Sequence, residues 1–184
     1  MPPARAPGPA VILIGPPGSG KSTAGPLLAA LLGVEFAETD GLIAQRAGKP
    51  VGDIFIDDGE DAFRDLERSA AGEAIAQHRG VLALGSGSVL SQATRGLLAG
   101  QRVVYLEAGF RAVARRTGLD GPHPPLPGNP RGRLRQLLEE RRPLYQGLAW
   151  LTVTTDDREP QQVADEIAAV IAGSRAAPAG EPRS

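Results

Sequence analysis

Cysteine is absent from the 184-residue sequence, which excludes a disulfide framework, a thiolate metal site and a cysteine nucleophile. No apolar run approaches the roughly 20 residues that a membrane-spanning helix needs. The first nine residues lack the apolar segment of a signal peptide. We therefore expect a chain that has no membrane partner and works in the cytoplasm.

An excess of charge is absent as well, since 20 Lys and Arg residues face 21 Asp and Glu residues and the net charge is −1. Nucleic-acid-binding domains usually carry a basic excess, so we expect no nucleic-acid partner. Lysine is scarce: Lys21 and Lys49 are the two lysines, and the other basic residues are arginines. Because a compact ammonium is not freely exchanged for a planar guanidinium, a lysine kept at position 21 indicates a specific role.

The length fits one domain with a full core, framed by two tails rich in Pro, Gly, Ala and Ser. We expect residues 1–9 and 173–184 to be disordered tails and residues 10–172 to form the domain. Between the tails, short apolar runs alternate with helical patterns, which is typical of βαβ units. The sequence therefore predicts an α/β three-layer sandwich, with a five-stranded parallel sheet flanked by helices.

The individual elements follow from apolar runs and helical periodicity. Strands are predicted at 10–14, 34–37, 81–84, 102–106 and 150–153. Helices are predicted at about 21–32, 42–47, 51–55, 60–77, 110–117, 132–146 and 160–171. The segment 118–130 holds five prolines and three glycines, so it forms neither a helix nor a central strand. Since long loops inside compact domains are often functional, we interpret it as a lid.

A glycine-rich segment follows the first predicted strand and precedes a helix. Residues Gly15–Ser22, GPPGSGKS, match the phosphate-binding pattern G-x-x-x-x-G-K-[ST] at every specified position. Backbone N–H groups of such a loop surround anionic oxygens, and the helix adds the positive end of its dipole. The complete match disfavours the alternative, a chance glycine-rich turn.

The pattern predicts how a nucleotide binds. We expect Lys21 to reach the β- and γ-phosphates of ATP and the Ser22 hydroxyl to ligate Mg²⁺. The residues predicted to contact the phosphates of ATP are Gly18, Ser19, Gly20, Lys21, Ser22 and Thr23.

Four further segments accompany the phosphate motif. Glu38–Asp40 ends the second strand, Phe63 and Arg64 lie in a following helix, Gly85–Gly87 ends the third strand, and Arg141–Tyr145 (RRPLY) lies late in the chain. In this order and spacing the set resembles shikimate kinases, which have the P-loop fold of nucleoside monophosphate kinases. The resemblance covers residues 10–171. It implies transfer of the γ-phosphoryl group of MgATP to the 3-hydroxyl of shikimate, a step of chorismate and aromatic amino-acid biosynthesis.

The resemblance also assigns roles on the substrate side. Asp40 holds the ring hydroxyls of shikimate and helps to deprotonate the attacking one. Arg64 and Arg141 grip the carboxylate, which a guanidinium matches with two parallel hydrogen bonds. The turn of Gly85, Ser86 and Gly87 brings backbone N–H groups to the substrate.

On the nucleotide side, the resemblance implies that Arg116, Arg158 and Pro160 enclose adenine. Glu38 helps to position Mg²⁺ through water. Lys21 and Asp40 are expected to be catalytic, together with His123 in the lid. The partners implied are ATP and shikimate, Mg²⁺ is the implied cofactor, and we expect a monomer.

Each substrate-side residue has an ordinary structural alternative when it is taken alone. Arg64 lies among charged residues and fits a solvated helix face, whereas Arg141 fits a surface salt bridge. Asp40 fits an N-cap for the helix that follows it. Only the joint pattern favours the functional assignments.

Three positions depart from the family pattern. Glu38 replaces an aspartate, Ser86 replaces the middle glycine of a triplet, and His123 replaces the lid arginine. A serine fits the turn unless that position needs a positive φ. A neutral imidazole is a poor substitute for a guanidinium on phosphates, so His123 must be protonated, or Arg131 or Arg133 must take its place.

Two alternative functions therefore stay open. One is a related kinase that acts on another small hydroxy acid, such as gluconate. The other is an ATP-binding homologue whose activity is weakened or lost, because a lid arginine contributes a large factor in rate.

Overall fold

The structure, a computed structural model, describes residues 8–119 and 128–176. Its strands are β1 (Val11–Ile14), β2 (Phe36–Glu38), β3 (Val81–Ala83), β4 (Val103–Glu107) and β5 (Leu151–Thr154). Its helices are α1 (Lys21–Leu32), α2 (Thr39–Ala47), α3 (Val51–Asp57), α4 (Gly59–Gln77), α5 (Gln92–Leu98), α6 (Phe110–Arg116), α7 (Pro130–Leu148) and α8 (Pro160–Ala176). A single-turn 3₁₀ helix spans Ser88–Leu90. Residues 120–127 of the predicted lid, His123 among them, lie outside the described residues.

The five strands form one parallel sheet with the order β2-β3-β1-β4-β5. β1 lies at its centre, with Ile12 paired to Leu82 of β3 on one side and to Val103 of β4 on the other. The predicted five-stranded parallel sheet flanked by helices is confirmed. Because all carboxyl ends of parallel strands lie at one edge, the segments that follow β1, β2 and β3 meet there.

Both faces of the sheet are covered, which gives the three layers. Successive side chains of β1 alternate between the faces. On one face, Val11 and Leu13 pack with Leu28 of α1 and Ile167 of α8. On the other face, Ile12 and Ile14 pack with residues of α4 and α7, including Ala71, Ile75 and Tyr145. Burial on both faces explains why β1 is apolar throughout.

Several element ends differ from the sequence prediction by a few residues, and three of the differences concern the domain limits or a predicted site residue. α8 continues to Ala176, past the predicted domain end at 172, although the last of its buried apolar side chains is Ile171. Pro9, assigned to the N-terminal tail, is buried beside the start of β1. α2 begins at Thr39, so Asp40 lies in its first turn and the alternative that Asp40 caps this helix is wrong.

The sequence prediction places no helix between 85 and 101, yet the 3₁₀ helix and α5 lie there. Ser91 precedes α5, and its hydroxyl accepts a hydrogen bond from the Thr94 N–H at 3.3 Å. Of the α5 side chains, Thr94 and Leu98 are buried. Two buried positions in a short helix give little periodic signal, which explains the miss. Within 8–119 and 128–176, no helix is long and apolar enough to span a membrane.

Candidate active site

The phosphate motif forms the turn between β1 and α1. Gly18 and Gly20 have φ angles of 70° and 97°, which residues with a side chain rarely adopt. A Cβ on Gly15 would lie 2.6 Å from the Leu106 carbonyl oxygen. The loop geometry therefore depends on the glycines that the pattern specifies.

Lys21 is held by the loop itself. Its Nζ donates to the carbonyl oxygens of Gly15 and Pro16 at 2.8 and 3.1 Å, and to Ser19 Oγ at 3.4 Å. Burial lowers the pKa of Lys21 to about 8, although the nearby carboxylates of Asp40 and Glu38 oppose that shift. An anionic phosphate in the loop would favour the charged ammonium.

Ser22 and Glu38 provide oxygen atoms beside the loop. The Ser22 hydroxyl donates to Glu38 Oε1 at 2.5 Å, which joins the first turn of α1 to the end of β2. The described residues contain no group of three or more His, Cys, Asp or Glu side chains that could hold a metal. Mg²⁺ bound with a nucleotide keeps several waters and phosphate oxygens and needs only one or two protein ligands, so this oxygen pair fits it.

A cavity of about 360 Å³ opens beside the phosphate loop. Besides residues of the loop and of α1, it is lined by Arg116, Thr155, Arg158 and Pro160. Arg116 donates to Thr155 Oγ1 at 2.9 Å, to the Thr155 carbonyl at 2.6 Å and to the Gly18 carbonyl at 3.1 Å. The structure thus brings the three residues predicted for adenine to one cavity with the phosphate loop.

A second cavity, of about 210 Å³, adjoins the first. Its lining includes Glu38, Asp40, Gly85 and Ser86. Gly18, Lys21 and Ser22 line both cavities. Molecules that occupy the two cavities would therefore meet at Lys21.

Asp40 lies against Gly85 on the floor of the second cavity. A Cβ on Gly85 would lie 2.5 Å from Asp40 Oδ1 and 2.8 Å from Glu67 Oε1. The pKa of Asp40 is raised, first by burial and then by the carboxylates of Glu67 and Glu38, while Lys21 opposes the shift. A carboxylate with a raised pKa is a better proton acceptor.

Arg64 lies over the turn that follows β3 and does not belong to a solvated helix face. Its guanidinium donates to Glu67 Oε2 at 2.7 Å, and Glu67 is only 3% exposed. The rings of Phe55 and Phe63 lie 5.7 and 5.4 Å from the guanidinium carbon. A Cβ on Gly87 would overlap the guanidinium. Arg64 is therefore fixed at the carboxyl edge of the sheet.

Arg141 and Tyr145 reach the same turn from α7. Arg141 Nη1 donates to Ser86 Oγ at 3.4 Å, and the Tyr145 hydroxyl donates to the Ser86 carbonyl at 2.8 Å. In the described residues, the non-glycine positions with positive φ are Asn129 and Asp157, so Ser86 adopts an ordinary conformation. The replacement of glycine by serine at position 86 therefore causes no backbone strain.

Known proteins resemble this chain in sequence. A sequence model of the family described as shikimate kinase matches residues 17–172. A shikimate kinase of Thermobifida fusca (strain YX) is 55% identical over 160 residues, which are 87% of this chain and 93% of the relative. A shikimate kinase of Salinispora arenicola (strain CNS-205) is 51% identical and covers 89% of this chain and 98% of the relative. The chain belongs to the shikimate kinase family.

Solved shikimate kinases have the same fold. The enzyme from Acinetobacter baumannii, in complex with shikimate, matches with a TM-score of 0.83 and 34% identity, over 91% of this chain and 94% of that one. The enzyme from Aquifex aeolicus matches with a TM-score of 0.75 and 27% identity, over 90% of this chain and 97% of that one. A gluconokinase from Sinorhizobium meliloti 1021 matches with a TM-score of 0.55 and 22% identity, over 93% of this chain and 95% of that one. A likeness at this identity supports the fold alone.

The structure of this shikimate kinase family member places several residues in the site for which the sequence predicted no role. Glu67 pairs with Arg64, the Thr39 hydroxyl accepts from the Gly85 N–H at 2.8 Å, and Thr155 holds Arg116. Tyr145 belongs to the segment that carries the resemblance but received no role. Its position four residues after Arg141 on a helix is a usable signal, because such residues share a helix face.

Proposed function

We propose that the chain transfers the γ-phosphoryl group of ATP to the 3-hydroxyl of shikimate and produces shikimate 3-phosphate and ADP. The observation that carries the proposal is the pair of cavities that share Lys21 and Ser22. One cavity has the loop that suits a nucleotide. The other has the Asp40 carboxylate and the start of the Gly85–Gly87 turn, against which the guanidinium groups of Arg64 and Arg141 lie, and this set suits a polyhydroxylated carboxylic acid. The relatives named shikimate kinase support this assignment.

In this proposal the substrate is oriented by charge and by hydroxyl contacts. Arg64 and Arg141 bind the carboxylate of shikimate with charge-assisted hydrogen bonds. Asp40 accepts hydrogen bonds from ring hydroxyls, and backbone N–H groups of the Gly85–Gly87 turn donate hydrogen bonds to the substrate. These contacts place the 3-hydroxyl beside Lys21.

The chemical step forms one bond and breaks another. The oxygen of the 3-hydroxyl bonds to the γ-phosphorus while the bond from that phosphorus to the bridging oxygen of ADP breaks. Asp40 accepts the hydroxyl proton, and Lys21 neutralises charge on the β- and γ-phosphates. Ser22, with Glu38 through water, would hold Mg²⁺, which supplies further charge neutralisation when bound. The remaining contribution is positioning of the two substrates.

For the nucleotide, we propose that Arg116, Arg158 and Pro160 enclose the base. Arg158 is fixed by Glu166 at 2.7 Å and by the Thr154 carbonyl at 3.1 Å. A planar guanidinium that is already held in place can stack on a flat base at little entropic cost. The residues Gly18–Thr23 surround the phosphates.

A coupled assay that follows ADP release, with and without shikimate, tests the function. We expect shikimate-dependent turnover in the wild type and a loss of about a hundredfold or more in Lys21→Met, which keeps the side-chain length but removes the charge. A panel with gluconate and related hydroxy acids serves as the specificity control. Turnover with gluconate and none with shikimate would overturn the assignment, and ATP binding without any turnover would select the inactive homologue.

We propose that His123, in its protonated form, supplies the lid cation that meets the γ-phosphate. Turnover then falls as pH rises and the imidazolium loses its proton, and His123→Arg abolishes that limb and raises kcat about tenfold or more. His78, the other histidine, serves as the control in His78→Gln. Arg131 is the rival, although it already donates to the Leu119 carbonyl at 3.3 Å and lies 5.1 Å from the Phe110 ring. An unchanged His123→Arg and an inactive Arg131→Ala or Arg133→Ala would refute the proposal.

We also propose that the protein acts as a monomer in the cytoplasm, within the synthesis of chorismate and aromatic amino acids. Sedimentation equilibrium with both substrates present checks the oligomeric state.

A further inference from the structure

A residue of α7 forms a hydrogen bond to the peptide group that joins Ser86 to Gly87. The Tyr145 hydroxyl donates to the Ser86 carbonyl at 2.8 Å. Tyr145 is 1% exposed, and its ring stacks on that of Tyr105 with centroids 5.1 Å apart. A ring enclosed in this way has no freedom to swing its hydroxyl aside, so the carbonyl is fixed in one direction.

Fixing the carbonyl also fixes the N–H on the other side of the same peptide. In a trans peptide the C=O and the N–H point in opposite directions, and the described residues contain no cis peptide. The Gly87 N–H therefore points away from Tyr145. It has no acceptor among the described residues, whereas the Gly85 N–H is taken up by Thr39. A buried turn with a free donor is suited to a ligand that supplies the acceptor.

The groups around Gly87 indicate which acceptor fits. The Arg64 guanidinium lies directly against the Gly87 Cα, where a Cβ would overlap it. Arg141 approaches from α7 and donates to Ser86 Oγ at 3.4 Å. Two guanidinium groups beside one free N–H form a site for a carboxylate oxygen.

Tyr145 and Arg141 act on this turn as one unit of α7. They are four residues apart and share a helix face. Arg141 contacts the side chain of Ser86, and Tyr145 contacts its carbonyl. Burial raises the pKa of Tyr145 to about 12 despite the nearby Arg141, so the hydroxyl remains a neutral donor.

We infer that Tyr145 is a positioning residue for substrate binding: its hydroxyl orients the Ser86–Gly87 peptide so that the Gly87 N–H meets the substrate carboxylate between Arg64 and Arg141. This inference rests on the proposed function. Tyr145 itself does not touch the substrate. Its hydroxyl orients the Gly87 N–H toward the substrate carboxylate before the substrate binds. The turn then loses less conformational entropy on binding.

Steady-state kinetics of Tyr145→Phe and Tyr105→Phe test the inference. Both variants remove one hydroxyl from the same buried stack, but only Tyr145 contacts the turn. We expect Tyr145→Phe to raise the KM for shikimate about tenfold and to leave the KM for ATP unchanged, since one oriented hydrogen bond is lost. Tyr105→Phe changes neither KM. Equal effects of the two variants, or no effect of Tyr145→Phe, would overturn the inference.

A shikimate analogue with a hydroxymethyl group in place of the carboxylate distinguishes loss of the contact between the Gly87 N–H and the carboxylate from a general change in packing around Tyr145. By calorimetry, Tyr145→Phe weakens binding of shikimate but not of the analogue. In the wild type, shikimate shifts the Gly87 amide resonance downfield and the analogue does not, which tests the same contact even if Tyr145→Phe fails to fold. A Gly87 resonance that shikimate leaves in place would overturn the inference. A wild type with no shikimate-dependent turnover would instead refute the proposed function, and the inference with it.

Discussion

Two glycines after β3 are required because charged side chains occupy the space where a Cβ would lie. Neither Gly85 nor Gly87 has a positive φ, so backbone conformation does not demand glycine at these positions. A Cβ on Gly85 would lie 2.5 Å from Asp40 Oδ1, and one on Gly87 would overlap Arg64. The small residues thus let an acid and a base approach the same turn.

Gly87→Ala is predicted to impair shikimate binding without unfolding the protein. The new methyl group displaces the Arg64 guanidinium, which is the end of a flexible side chain and can move. We expect the KM for shikimate to rise about tenfold or more, because a charged hydrogen bond to the substrate is lost, while the KM for ATP stays the same.

Gly52→Ala in α3 is the matched control, since a Cβ there would meet nothing within 4 Å. It should keep both KM values and change the free energy of unfolding by less than about 1 kcal/mol, because Gly52 lies in the first turn of α3, where alanine gains less over glycine than in a helix interior. If Gly87→Ala lost ATP affinity instead of shikimate affinity, the placement of Arg64 beside the substrate would be wrong.

At the scale of single residues, the sequence predicts the phosphate loop well because its pattern specifies backbone geometry directly. Asp40, Arg64 and Arg141 are reached only through the joint resemblance, and their roles stay predictions. Glu67 is missed because an acidic residue among charged neighbours of a helix is normally exposed. Its burial arises from packing between α4 and the turn after β3, which no local pattern records.

The link between the phosphate loop and the β5–α8 connection shows how elements cooperate. Thr155 is 3% exposed and follows β5 directly. Its N–H donates to the Glu107 carbonyl at 2.8 Å, and its hydroxyl accepts from Arg116 at 2.9 Å. Arg116 in turn donates to the Gly18 carbonyl. The ends of β4 and β5, α6 and the phosphate loop are thereby joined around the nucleotide cavity.

Thr155→Val is predicted to weaken ATP binding. Valine has nearly the same shape but no hydroxyl, so Arg116 loses one acceptor and its position over the cavity. We expect the KM for ATP to rise about tenfold, as for loss of a hydrogen bond to a charged group, with the KM for shikimate unchanged. Thr155→Ser keeps the hydroxyl and should behave as the wild type in the same assay. Equal loss in both variants would mean that the methyl group, not the hydroxyl, matters.

At the scale of elements, the sequence predicts all five strands and most helices, with shifts of a few residues at their ends. The buried strands are predicted correctly because each is a short apolar run. The prediction misses α5 because only two of its side chains, Thr94 and Leu98, are buried. The start of α2 is misplaced because Asp40 resembles a cap residue, whereas both Thr39 and Asp40 lie in the first turn of the helix. The Thr39 hydroxyl accepts a hydrogen bond from the Gly85 N–H, a tertiary contact that no local pattern records.

For the whole molecule, the two lysines make opposite contributions to the pH dependence of stability. Burial lowers the pKa of Lys21 from 10.5 to about 8 in the folded protein. Between these values the unfolded chain binds more protons at this site, so the stability attributable to Lys21 rises with pH. For Lys49, hydrogen bonds to Asp58 and Asp57 raise the pKa. Its contribution is present below 10.5 and is lost as pH rises through the folded value.

Urea unfolding between pH 7 and pH 10.5 measures both effects, in the wild type, Lys21→Met and Lys49→Met. The free energy of unfolding of the wild type minus that of Lys21→Met should rise from about pH 8 upward. The corresponding difference for Lys49→Met should stay level until the pH approaches 10.5 and should then begin to fall, because the unfolded chain loses the Lys49 proton before the folded protein does. Saturation with MgATP should reduce the slope for Lys21, since bound phosphates favour the ammonium. A flat Lys21 difference without nucleotide would show that burial does not lower the pKa of the Lys21 ammonium, and bound phosphates would then have no lowered pKa to restore.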